Sequence, residues 1–120
     1  MNSRLGFGRG MRLRWSGEFA RIKLEGRRLA RGCLIANWVA EAGREGEPLR
    51  LGVVTSKSIG GAVDRNRARR LMREVFRLNQ RQVKRPLTLV LIARPSIVGK
   101  GLADVERDFL QLMRQAQLLE

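Results

Sequence analysis

Apolar residues along this chain recur in two rhythms, one of three to four residues and one of two or fewer, and the switches between them predict its elements. Phe19 and Ile22 share one face of a short helix from Ser16 to Gly26; Ser16 is placed to cap its first turn and Gly26 suits its C-terminal cap. Cys33 to Ala40 (CLIANWVA) is an apolar run of strand length, and the Gly, Glu and Pro of Glu41 to Pro48 read as a hairpin loop. Leu49, Leu51 and Val53 then alternate with Arg50 and Gly52, as a half-buried strand should. Helical spacing returns from Val63 to Gln80, and Leu87 to Ala93 (LTLVLIA) is continuously apolar, the mark of a central strand. In the last segment, Leu102 to Leu118, one helical face carries Leu102, Val105, Phe109, Leu112, Met113 and Ala116. Asp104, Glu106 and Asp108 lie near its start, where the helix dipole favours acids. The predicted order is α-β-β-α-β-α, with room for a further short strand. That is an α+β class domain, a small two-layer fold whose central sheet is covered by helices.

Composition narrows the possible functions. The 120 residues and 43% hydrophobic content fit one domain with a modest core. No apolar run approaches the roughly 20 residues of a membrane helix, and Met1 to Gly10 has no apolar stretch of secretory length, so the expectation is a cytoplasmic protein without a membrane partner. Cys33 is the sole cysteine and histidine is absent. Disulfide frames, cysteine zinc clusters, Ser-His-Asp and Cys-His catalysis and His-ligated metals are thereby excluded.

Charge points to the partner. The net charge is +14, and 21 of the 25 basic residues are arginine, whose planar fork matches phosphate oxygens and stacks on bases. Residues 1–31 hold nine bases and two acids, and residues 56–86 hold ten and two. Residues 32–55 and 87–120 are nearly neutral. Clustering of this kind is an electrostatic footprint for nucleic acid. The domain division expected is a flexible basic N-terminal arm, residues 1–11, and a single domain, residues 12–120, that binds nucleic acid, which the resemblance described below makes RNA.

The helix from Val63 to Gln80 (VDRNRARRLMREVFRLNQ) carries the sharpest pattern. Ala68, Leu71, Met72, Val75 and Phe76 form an apolar arc that must face the sheet. Opposite it Asn66, Arg70, Arg73 and Arg77 make a polar ridge bordered by Arg69, with Glu74 the one acid nearby. The shortage of acids and the choice of arginine favour a polyanion-binding face over a merely solvated one. Before the helix, Ser56-Lys57-Ser58-Ile59-Gly60-Gly61 joins it to a strand through two glycines, without the Gly-Lys-Ser/Thr ending of a P-loop.

Residues 56–77, SKSIGGAVDRNRARRLMREVFR, resemble the signature of the protein component of bacterial ribonuclease P. Arg65, Asn66 and Arg67 match its central triplet, and Arg69, Arg70 and Arg73 the basic positions that follow. Arg12-Leu13-Arg14 through Glu18-Phe19 and Gly26-x-Arg28 resembles the family's first helix, and Leu91-Ile92-Ala93-Arg94-Pro95 with the final helix its C-terminal third. The resemblance covers about residues 12–119.

The resemblance implies a protein subunit that assists a catalytic RNA in removing the 5′ leader of precursor tRNA, an endonuclease reaction in tRNA processing. The chemistry and its magnesium would be held mainly by the RNA subunit. Partners implied are that RNA and precursor tRNA, with no obligate protein partner. Arg65, Asn66, Arg67, Arg69, Arg70, Arg73, Arg77 and Lys57 would bind RNA, and Phe19, Lys23, Arg12 and Arg14 would form a leader-binding cleft between the first helix and the sheet. No protein residue would be catalytic and none would ligate a metal. The fold implied has a left-handed strand-helix-strand crossover around the arginine helix, against the usual right-handed rule. Lys23 stands where the family usually has a second aromatic, and Ala36 falls where its first strand often has one. Gly61, Ser58 and Ala68 also depart from the common pattern. The competing classes are a ribosomal or chaperone-type RNA binder, a DNA-binding protein and a self-sufficient nuclease. The first would not activate a catalytic RNA. The ridge offers only Asn66 for base reading, which disfavours the second. The lack of histidine and of clustered acids disfavours the third.

Overall fold

The computed structural model describes residues 16–40 and 49–120. Its elements are α1 (Ser16–Glu25), β1 (Arg27–Arg31), β2 (Leu34–Ala40), β3 (Leu49–Val54), α2 (Ala62–Asn79), β4 (Leu87–Ala93) and α3 (Leu102–Gln115), with 3-10 turns at Lys57–Ile59, Gln80–Gln82 and Pro95–Ile97. The strands form one sheet in the order β1-β2-β4-β3.

Two expectations change here. The further short strand is β1, and its sequence, RRLAR, hides it: only Leu29 is partly buried. It forms by pairing antiparallel with β2, Leu29 opposite Ala36, and its arginines blunt the sheet edge it occupies. The hairpin expected between β2 and β3 does not exist as a pairing. β4 lies between them, antiparallel to β2 and parallel to β3. Its unbroken apolar run explains this, because a strand buried on both faces and both edges belongs in the middle. The parallel β3–β4 pair needs a crossover, and α2 supplies it. The loop 41–48 itself lies outside the described residues, as does the arm 1–11.

The pleat sorts side chains between two faces. Leu34, Ala36 and Trp38 on β2, Leu49 and Leu51 on β3, and Leu87, Leu89, Leu91 and Ala93 on β4 join Met72, Val75, Phe76, Val105, Phe109, Leu112 and Met113 of α2 and α3 in the main core. The apolar arc of α2 is thus buried as its spacing predicts, and Trp38 is a packing residue. The opposite face carries a smaller cluster of Ile22 and Val90, with Phe19, Val39, Val54 and Ile92 packed on it. Two layers describe the main core, and α1 adds a partial third on the other side. Its approach to β2 depends on Gly26, where a Cβ would fall 2.5 Å from the carbonyl oxygens of Ile22 and Trp38.

α3 ends at Gln115 rather than running on to Leu118. Gln117 takes a left-handed φ of 62°, and Leu118 N–H turns back to donate to Met113 O at 2.9 Å. Leu118 is thereby buried, and its carbonyl accepts from Lys84 N–H. At the far end of the sheet Gly32, φ 58°, makes the β1–β2 turn. Asp108 of α3 accepts from Cys33 N–H at 3.0 Å, which ties that turn to the helix.

Candidate RNA interface

The basic residues of α2 stand on the side away from the core, but not in one state. Asn66, Arg67 and Arg70 are exposed, and Arg65, Arg69, Arg73 and Arg77 are half-buried. Arg67 donates to Lys100 O at 2.7 Å, anchoring the start of α2 to the turn before α3. Arg69 donates to the Thr55 hydroxyl and to the Asn66 side-chain carbonyl, which orients both ridge residues. Arg77 is clamped bidentate by Glu74, with contacts of 2.9 and 2.6 Å. That pairing holds the Glu74 carboxyl below the usual carboxylate range. At the C-terminal end of the ridge Arg77 thus shares its charge with Glu74, while toward the N-terminal end Arg67 and Arg70 are exposed, with exposed Lys57 in the turn before them. Val63, 81% exposed, gives that end an apolar spot among the cations.

A cleft of about 280 Å³ opens on the other face of the sheet, lined by Phe19, Ala20 and Lys23 of α1 and by Arg28, Asn37, Val54, Val90 and Ile92 of the strands. Phe19 is half-buried and Lys23 exposed, one helical turn apart on the same side. Among the described residues no acid lines this opening, and nearby Glu18 is engaged by Arg21 at 3.2 Å and by Arg50 at 3.6 Å, and Glu25 by Arg21 at 3.5 Å. The result is an apolar floor with a cationic rim, a form suited to a nucleobase and its phosphate. Arg12 and Arg14, expected at this cleft, lie outside the described residues.

The structure alters the cleft roster. Ala36 is fully buried and faces α2 and α3, so it is no part of the cleft. The β2 side chain that reaches the cleft is its neighbour Asn37, paired across the sheet with Arg28 on one side and Val90 on the other. Sequence reasoning missed both. The signal for Asn37 was a lone amide inside an apolar run, at the strand parity opposite to Leu34, Ala36 and Trp38. Arg28 stood out only in the Gly26-x-Arg28 match, and its place at the cleft followed once β1 was recognised as a strand.

Cleft and ridge are linked through the end of β3. Val54 lines the cleft, and Thr55, the next residue, accepts from Arg69 of the ridge. Among the described residues no three Cys, Asp or Glu side chains gather in a way that could hold a metal ion. None of their helices is long and apolar enough to cross a membrane.

Comparison with known proteins agrees with this geometry. A sequence model of the Ribonuclease P family matches residues 7–117. The ribonuclease P protein component of Syntrophomonas wolfei is 36% identical over 89% of this chain and 87% of the relative, and that of Chloroflexus aurantiacus is 39% identical over 92% and 81%. Among solved structures, the RNase P protein of Staphylococcus aureus superimposes with a TM-score of 0.81 at 22% identity, covering 92% of this chain and 98% of that one. The RNase P protein of Thermotoga maritima gives 0.76 at 26% identity, covering 87% and 96%. An α+β fold with a crossover arginine helix, the 56–77 motif and near-complete coverage of its relatives all agree: this chain belongs to the ribonuclease P protein family, as a protein subunit of the endoribonuclease that matures the 5′ end of tRNA.

Proposed function

We propose that this subunit holds two RNAs at once, the catalytic RNA along the α2 ridge and the 5′ leader of precursor tRNA in the α1–sheet cleft. The observation that carries this reading is the continuity of the two surfaces, since the Arg69–Thr55 contact joins the ridge to the strand end whose Val54 lines the cleft. Lys57, Arg65, Asn66, Arg67, Arg69, Arg70 and Arg73 contact phosphates of the catalytic RNA. Arg77 contributes at the ridge's far end, sharing its charge with Glu74. In the cleft Phe19 stacks on a leader base while Lys23, with Arg12 and Arg14, meets the leader backbone. The reaction's magnesium would be held mainly by the RNA, and when bound would supply Lewis-acid chemistry toward phosphate that this chain's own residues do not offer. The protein's work is to neutralise phosphate repulsion and position the leader. Such a subunit acts in the cytoplasm and needs no other protein partner.

Reconstitution tests this directly. The protein is mixed with the catalytic RNA and precursor tRNA in low magnesium, where the RNA alone is slow. Rescue of accurate 5′ cleavage is expected. RNA binding without any rescue would instead indicate a purely structural RNA binder.

A further inference from the structure

We propose that the 5′ leader, where it leaves the α1–sheet cleft, runs over the edge strand β1 into a second basic groove between β1 and the C-terminal end of α3. The inference rests on the leader-binding reading above and adds a further RNA site to it. Beyond β1 lies a cavity of about 520 Å³, lined by Arg27, Arg28, Leu29 and Trp38 of the strands and by Gln115 and Gln117 at the end of α3. Arg28 lines this cavity and the cleft alike, so the two openings meet at the sheet edge. The cleft floor itself crosses the sheet from Val54 at the end of β3 through Val90 and Asn37 to Arg28 of β1. Val54 marks the end that adjoins the ridge and hence the catalytic RNA, where the scissile bond must lie. The leader nucleotides farthest from that bond therefore emerge over β1.

The chemistry of the second opening suits them. No acid occurs from Gly26 to Ala40 or from Phe109 to Leu119, the segments that build it. Arg27 and Arg28 are exposed, and no described residue pairs with either guanidinium. The side-chain amides of Gln115 and Gln117 are likewise uncommitted among the described residues, and offer donors and acceptors to base edges and 2′-hydroxyls. A helix C-terminus ordinarily repels phosphate, but here its last carbonyls are occupied. Ala116 N–H donates to Leu112 O and Leu118 N–H to Met113 O, each at 2.9 Å. That turn sets Gln117 at φ 62°, the one positive φ outside glycine among the described residues. Glycine would adopt it at lower cost, so what glutamine adds at the mouth of the groove is its amide. α3 packs over β1 and β2, and α2 over β3 and β4, which puts groove and ridge at opposite edges of the sheet. A strand leaving the cleft reaches the groove without crossing the ridge.

The experiment measures binding of precursor tRNAs to the holoenzyme as the leader is lengthened one nucleotide at a time, with mature tRNA as the zero point. In wild type, affinity should rise in two stages, first as the cleft fills and then as the groove fills. Arg27→Ala should erase the second stage alone, a loss of about three- to tenfold for long leaders, the range of a single hydrogen bond. The salt slope for long leaders should fall by roughly 0.7, one single-strand phosphate contact. Short leaders and mature tRNA should bind the variant as they bind wild type. Should Arg27→Ala not fold, Gln117→Gly, which keeps the backbone turn, gives the same reading. A second stage that survives in the folded variant overturns the groove, as does a loss shared equally by short leaders and mature tRNA. Affinity that stops rising after the first stage in wild type overturns the groove and leaves the cleft reading standing. Affinity independent of leader length overturns both.

Discussion

Single residues divide here into those that face RNA and those that hold the frame. Phe19 does some of both, being half-buried against Ile22 and Val90 yet lining the cleft. Stacking a base on an aromatic contributes about 1–3 kcal/mol, so Phe19→Ala should weaken binding of leader-bearing precursor tRNA by roughly tenfold. Mature tRNA should bind as before. Parallel titrations of both RNAs, with a thermal melt of the variant, separate this from a core role, in which all affinities would fall together. Cys33 belongs wholly to the frame. Burial first, and then its hydrogen bond with Asp108, push its thiol from 9.0 up to about 11. A thiol rather than a thiolate is a poor nucleophile, so alkylation at pH 8 should be negligible in the native protein and rapid after unfolding. The folded chain also holds this proton more tightly than the unfolded chain does. Its contribution to stability is therefore complete below pH 9 and lost as pH rises through about 11, which urea titrations across that window can measure.

At the scale of elements, α2 combines an apolar arc that fixes it to the sheet with a ridge that need not fold the protein. Arg70 is exposed and Arg73 half-buried on that ridge. Replacing both with Ala should leave the fold intact and flatten the salt dependence of binding to the catalytic RNA by about one to two units of log–log slope, since each phosphate contact contributes roughly 0.7 to 0.9. An unchanged slope in the folded double variant would reduce the ridge to a solvated face. Arg77→Ala should change the slope less than Arg70→Ala, because Glu74 already takes part of its charge. The spacing of α2 made nearly all of this legible: the arc Ala68, Met72, Val75 and Phe76 is buried as its period requires. β1 was not legible, because a strand read from composition needs apolar or β-branched residues, and RRLAR is held by its partner strand instead.

For the whole molecule, the distribution of function follows from the chemistry its side chains can offer. A chain without histidine, whose acids Glu18, Glu74 and Asp104 are spoken for by arginines or a backbone N–H, is equipped to bind phosphate rather than to activate water. The homogeneous protein, freed of RNA, should therefore leave precursor tRNA uncut at any magnesium concentration. Gel analysis of the incubated substrate checks this, and magnesium-dependent 5′ cleavage by protein alone would return the chemistry to the polypeptide.

The sequence by itself determined what depends on neighbours along the chain. The amphipathic α2 and α3, the central apolar strand β4, the two blocks of arginine and the 56–77 motif all follow from local period and composition. Only the tertiary structure decided what depends on partners distant in sequence. It placed β4 between β2 and β3, paired the basic edge strand with β2, and set Asn37 rather than Ala36 in the cleft. The reason is that a strand's alternation defines two faces without saying which one a helix will cover. On β2 both parities carry residues that can be buried, so the local pattern was degenerate. α2 and α3 claimed the face of Ala36, and α1, stopping at Gly26, left the face of Asn37 partly open.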